Sequence, residues 1–138
     1  MDKKVLYFFS NKGGAGSTLL ALNSAYVLHE YFNKKVLFID INRLSDVHVY
    51  THIEPKRALY NALIMYDSYK SSEDKISFMQ TCIKDCGYNY NGIDIVFYPQ
   101  NSSEQKEIGQ SFYEFLKDVS VMYDYICIEG DAYNVYDD

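Results

Sequence analysis

Lys3-Lys-Val-Leu-Tyr-Phe-Phe-Ser-Asn-Lys-Gly-Gly-Ala-Gly-Ser-Thr-Leu-Leu-Ala-Leu22 is the stretch that decides the fold. An apolar run with three aromatics, Val5 to Phe9, breaks into a glycine cluster, and an apolar pattern at helical spacing takes over from about Ser17. That reads as strand, loop, helix. Gly13, Gly14 and Gly16 permit backbone angles and close approaches that a Cβ forbids, so loop N–H groups and a helix N-terminus can converge on an anion. The local chemistry is that of a phosphate cradle. A glycine-rich turn can also serve only as a tight connection, so the rest of the chain has to choose between the two.

Outward from the loop, Leu19, Leu22, Ala25, Tyr26, Leu28 and Phe32 recur at i, i+3, i+4, which predicts an amphipathic helix over residues 17 to about 32, ended by Asn33. Val36 to Asn42 follows as a continuous apolar run, the mark of a strand covered on both faces. Together they predict a right-handed βαβ unit with parallel strands. Residues 43 to 55 read as a long polar loop. Helical spacing returns at Ala58, Leu59, Ala62, Leu63 and Tyr66. Ser71 to Asp74 reads as a cap for a further helix with Ile76, Phe78, Met79, Cys82 and Ile83 on its buried side. Gly87 to Gly92 reads as turn, Ile93 to Tyr98 as a strand stopped by Pro99, and Glu104 to Met122 as a helix with Ile108, Phe112, Phe115, Leu116 and Val119 as its stripe. Tyr123 to Asp131 is the last strand. The predicted fold class is α/β, three-layered, with a mostly parallel sheet flanked by helices.

A chain of 138 residues fits one domain, 1–138, and can bury a core without a metal or disulfide staple. Cys82, Cys86 and Cys127 form no CxxC pair, which argues against zinc and fits reduced thiols in the cytoplasm. No apolar stretch approaches a membrane span, and the start lacks a signal-peptide core. A net charge of −6 opposes strong nucleic-acid binding. The 15 tyrosines are not interleaved with basic residues, so they read as composition and interface tendency rather than a base-stacking platform. His48 and His52 receive no role.

Three segments, in order, carry a family resemblance. Lys12-Gly13-Gly14-Ala15-Gly16-Ser17-Thr18 nearly meets the general G-x-x-x-x-G-K-[ST] pattern and resembles the K-G-G-x-G-K-[ST] loop of the ParA/MinD-type P-loop ATPases, whose Walker A loop is deviant. Asp40-Ile41-Asn42 resembles that family's D-x-D segment, and Tyr123 to Glu129 resembles its Walker B strand, Y-D-x-I-I-I-D. Two of these departures remove a functional group. Ser17 stands where the main phosphate-binding lysine belongs, and Asn42 replaces the carboxylate that orients water. Glu129 in place of aspartate is one methylene longer and can still hold a Mg²⁺-bound water.

The resemblance implies ATP or ADP with Mg²⁺ as cofactors. Residues Lys12 to Thr18 would hold phosphate, and Thr18, Asp40 and Glu129 would serve the metal. Lys12, Asp40 and Asn42 are the catalytic candidates, with Lys12 reaching across a nucleotide-sandwich homodimer. The branch most similar is that of the TadZ/CpaE pilus-assembly localisation proteins, where a small hydroxyl residue replaces the loop lysine. It implies protein partners in a pilus, secretion or positioning system and a polar location in the cytoplasm. Family domains continue beyond the Walker B strand, so the expectation is the N-terminal part of a longer domain, truncated after that strand. The expected activity is nucleotide binding with weak or absent hydrolysis. The alternatives are a competent ATPase using Lys12 in place of the lost lysine, and a ligand-free structural remnant.

Overall fold

The computed structural model describes residues 4–10, 15–41, 47–53, 62, 65–66, 68, 74–97 and 110–131. Five strands form one sheet: β1 (Lys4–Ser10), β2 (Val36–Asp40), β3 (Tyr88–Tyr90), β4 (Ile93–Phe97) and β5 (Tyr125–Asp131). Their order across the sheet is β1-β5-β2-β4-β3. β1, β5, β2 and β4 run parallel, and β3 is antiparallel to β4. The helices are α1 (Ala15–Glu30), α2 (Val47–Thr51), α3 (Lys75–Cys86) and α4 (Gln110–Val119), the last followed by a 3₁₀ turn, Ser120–Met122. The expected α/β architecture with a mostly parallel sheet is what the chain forms.

Alternation along the strands sorts the core into two layers. Phe38, Ile95, Phe97 and Cys127 face α1 and α2, with Ala21, Leu22, Ala25 and Val47 packed on them. Leu37, Ile39, Val96, Ile126 and Ile128 face the other way, under Tyr66, Met79, Ile83, Phe112, Phe115 and Val119. All five residues of β2 are buried, as an apolar run between two helical layers requires. On the second face, Tyr66 stacks edge-on against Phe115 at 5.8 Å and donates its hydroxyl to Asp118 Oδ2 at 2.6 Å.

The expected caps form. Asp74 accepts from the Ser77 N–H at 3.3 Å and starts α3. Asn33 adopts φ 55°, and the Lys34 N–H reaches the Leu28 carbonyl at 3.0 Å, a left-handed closure of α1.

Several expectations need correction. α1 begins at Ala15 rather than Ser17, and its inner face is Thr18, Ala21, Leu22 and Ala25; Leu19, Tyr26 and Phe32 are exposed and Leu28 is half-buried. Four consecutive apolar residues, Leu19 to Leu22, offer more than one apolar stripe, and the two alanines win because they allow the closest approach to the sheet. The polar segment 43–55 contains α2. Ile76 is exposed on α3, whose buried side is Met79, Cys82, Ile83 and Cys86.

Gly87 to Gly92 is not only turn: Tyr88–Tyr90 pairs with Ile93–Ile95 as a hairpin. Asn91 (φ 52°) and Gly92 (φ 92°) supply the two left-handed residues that such a two-residue loop needs. Of the second predicted helix, Ala62, Met65, Tyr66 and Ser68 have helical backbone, while Ala58, Leu59 and Leu63 lie outside the described residues, as does Ile108.

Candidate functional site

Parallel strands bring their carboxyl ends to one edge, and in open α/β sheets that edge is where ligands bind. β1, β5 and β2 are neighbours there. Register places Phe8, Glu129 and Asp40 in one row across the three strands. Phe8 and Cys127 belong to the layer under α1, and two-residue alternation puts Glu129 and Asp40 on that same side. α1 crosses over this row, and Thr18 is on its inner face in the first turn. Its hydroxyl donates to Glu129 Oε1 at 3.2 Å. Thr18, Asp40 and Glu129 are all buried, and the Ile41 N–H donates to the Glu129 carbonyl at 2.9 Å, carrying the β2–β5 pairing past Asp40.

Two acids and a hydroxyl buried together are costly unless a partner satisfies them. They are hard oxygen donors, the set that suits Mg²⁺, which is typically held by one or two carboxylates, waters and phosphate oxygens rather than by a full protein cage. The donor chemistry therefore fits the divalent cation that the sequence implies. Among the described residues no group of three or more His, Cys, Asp or Glu side chains forms a metal cluster.

Ala15, Gly16, Ser17 and Thr18 supply the first turn of α1. The first four N–H groups of a helix lack intrahelical partners, so this turn presents amide donors beside the acids. The structure thus unites Thr18, Asp40 and Glu129 and sets the backbone of Ala15 to Ser17 next to them. Lys12, Gly13, Gly14 and Asn42 lie outside the described residues.

Asp131 closes β5 opposite Ser10 at the same edge. Far from this edge, the Tyr123 hydroxyl donates to Asp94 Oδ2 at 2.7 Å, and burial with that bond holds its proton well above the usual range.

The model of the AAA domain family matches residues 3–131. A comparison with curated proteins finds no match. Among solved structures, the chain is similar to a ParA family ATPase from Chlorobium tepidum TLS (21% identity, TM-score 0.74, covering 94% of this chain and 52% of that one). It is also similar to a plasmid partition protein from Borrelia burgdorferi (23%, 0.64, 94% and 56%). A third is the septum site-determining protein MinD of Pyrococcus horikoshii OT3, solved with Mg-ADP (19%, 0.65, 93% and 48%). At these identities the likeness shows a shared fold. The chain spans about half the length of these structures. No helix among the described residues is long and apolar enough to cross a membrane. With the family model covering nearly its whole length, the chain belongs to the AAA domain family and has the fold of the ParA/MinD-type P-loop ATPases.

Proposed function

We propose that this chain is a degenerate ParA/MinD-type nucleotide-binding domain: it binds ATP or ADP with Mg²⁺, turns ATP over slowly or not at all, and works as a positioning or assembly module through protein contacts. The observation that carries the reading is the Thr18 to Glu129 hydrogen bond, with Asp40 beside Glu129 in register. It joins three sequence segments that resemble one family's nucleotide site.

In this reading the amides of residues 13 to 18 hold the phosphates, and Thr18, Asp40 and Glu129 hold the metal and its waters. Mg²⁺ would neutralise charge on the phosphate oxygens. Ser17 in place of lysine removes a charge-assisted contact worth about 1.5–3 kcal/mol, which weakens binding without abolishing it. Hydrolysis loses more, because one missing donor to a transition state commonly costs about 10²–10³ in rate. Asn42 hydrogen-bonds water but cannot accept its proton. Lys12 is left as the lysine for a phosphate contact across a homodimer.

A role of the TadZ/CpaE kind, at a cell pole and with pilus or secretion partners, agrees with the small hydroxyl at Ser17.

Titration with a fluorescent ATP analogue, with and without Mg²⁺, tests binding, and steady-state phosphate release tests turnover. Saturable, Mg²⁺-dependent binding with negligible release is expected. Release at the rate of ordinary family members, abolished by Lys12→Ala, would establish the competent ATPase instead. No saturation at millimolar analogue would leave a ligand-free remnant.

A further inference from the structure

The amino ends of β2, β4 and β5 meet at the edge of the sheet opposite Asp40 and Glu129. Lys35 stands just before β2, Tyr123 two residues before β5, and Asp94 is the second residue of β4. Two-residue alternation puts Asp94 with Val96 on the face that α3 covers, whereas Asp40 and Glu129 lie on the α1 face. α3 reaches this edge with its last turns. Gln80, Ile83, Lys84 and Gly87, spaced i, i+3, i+4 and i+7, make one stripe along it. Gly87 lets the helix close onto the sheet, since a Cβ there would lie 2.7 Å from the Ile83 carbonyl oxygen and 3.0 Å from that of Ile95. Between the stripe and the strand ends is a cavity of about 380 Å³, within the size range of small-molecule sites.

The polar groups of this cavity are held in place. Asp94, the one carboxylate in its lining, has a donor on each oxygen: the Tyr123 hydroxyl at 2.7 Å and the Asn89 amide at 3.0 Å. Lys35 is anchored through its backbone, donating to Asp124 Oδ2 at 2.8 Å and accepting from the Asp124 N–H at 2.8 Å. Its ammonium lies 5.2 Å from the centre of the Tyr123 ring. Among the described residues neither Lys35 nor Lys84 is in an ion pair, although the protein carries a net charge of −6. Two ammoniums against one occupied carboxylate leave the mouth positive. Beneath them Ile83 and Tyr123 are buried and Met122 is half-buried, which makes an apolar floor.

We infer that this cavity binds a small organic anion, its carboxylate or phosphate head between Lys35 and Lys84 and an apolar body of aromatic-ring size over Ile83, Met122 and Tyr123. A cation would meet the two ammoniums, and an inorganic anion would leave the apolar floor in water. The lining comes from residues 35 to 123, with none from β1 or α1. The site is at the other edge and on the other face of the sheet from the proposed nucleotide site, and it stands whether or not a nucleotide binds there.

Phenyl phosphate and phenylacetate, each titrated into the full chain and followed by amide NMR, test the assignment. Saturable shifts are expected at Lys84, Gly87, Asn89 and Tyr123, weakening as salt is raised, and the tighter probe names the head group. Phenol has the body without the charge and inorganic phosphate the charge without the body; each should bind at least about tenfold more weakly. Lys84→Met keeps the stem and deletes the charge, so it should weaken binding about threefold, and Lys84→Arg should retain it. Lys35→Met should weaken it at least as much, because the ammonium over the Tyr123 ring is lost as well. Lys117→Met, at an exposed lysine of α4, should change nothing. Any of four results overturns the inference. These are no saturation by either probe at millimolar concentration; shifts confined to Gly16 to Thr18, as for a phosphate held at the nucleotide loop; phenol binding as tightly as the anions; or binding at the cavity that neither Lys35→Met nor Lys84→Met weakens.

Discussion

Thr18 and Glu129 are 111 positions apart in the chain, yet the hydroxyl of one donates to the carboxylate of the other at 3.2 Å in the interior of the protein. Thr18→Val keeps the shape and deletes the donor. It should cost about 1–3 kcal/mol of stability, since Glu129 stays buried with one partner fewer. If the pair also serves a cation, the same change should weaken nucleotide binding in Mg²⁺ and leave binding in EDTA nearly unchanged. Calorimetric titration in the two buffers separates the outcomes, and equal losses in both would remove the cation from the account.

Gly92 joins the β3–β4 hairpin to the end of α1. A Cβ there would lie 2.1 Å from His29 Nε2, and the backbone is held at φ 92°. His29 is fixed in turn by its Nδ1–H, which donates to the Lys34 carbonyl at 3.1 Å. Gly92→Ala should therefore destabilise by more than the roughly 1 kcal/mol typical of a left-handed site alone. Adding His29→Ala should recover the steric part and leave the backbone part. Urea unfolding of the two variants measures the split. A full recovery would mean that φ contributes nothing.

The three cysteines are buried and none is in a disulfide. Burial, with Cys86 and Asp85 nearby, pushes Cys82 up to about 12, and burial pushes Cys127 up to about 12, from an ordinary value of 9.0. A group whose folded pKa exceeds its unfolded one contributes stability that is complete below the unfolded value and is lost as pH rises through the folded value. Stability should thus be insensitive to these thiols at neutral pH and decline between about pH 9 and pH 12. Cys127→Ala should make that decline shallower. Urea midpoints across the alkaline range test this. At neutral pH, native protein should react with Ellman's reagent far more slowly than unfolded protein, because the thiolate is the reactive form.

The opening strand and the helix that follows it, the buried second strand and the acidic last strand were legible in the sequence because each is a strong local pattern. The row formed by Asp40 and Glu129 was legible only through the parallel topology that a βαβ unit implies. Periodicity failed in two places for physical reasons. α1 is apolar on several sides, so spacing alone could not tell Ala21 and Ala25, which touch the sheet, from Leu19 and Tyr26, which do not. The hairpin was announced by Asn91-Gly92, but Tyr88 to Tyr90 is only three residues long, and its asparagines read as turn. In the strand, Asn89 instead holds Asp94 Oδ1 at 3.0 Å and the Gly92 N–H at 3.2 Å. Asp74 succeeded as a cap because an N-cap is a one-residue decision about its own backbone.

Asp40 and Glu129 raise the question of what two buried acids in register cost the empty protein. Residues opposite each other on adjacent strands sit about 5 Å apart, close enough for like charges to oppose each other's ionisation. Sites kept for ligands often carry such a cost, and relieving it commonly adds about 0.5–2 kcal/mol of stability at the expense of function. Asp40→Asn is nearly isosteric and removes one charge. In nucleotide-free protein it should raise the melting temperature by a few degrees. The same variant should lose the gain in stability that Mg²⁺ with ATP gives the parent, because a ligand stabilises only what it binds. Thermal melts of parent and variant, each with and without Mg²⁺ and ATP, make a four-way comparison. A variant less stable than the parent when empty would show that Asp40 is a structural anchor whose existing bonds outweigh the repulsion. A variant more stable when empty and unresponsive to ligand would show that the carboxylate is kept for the cation.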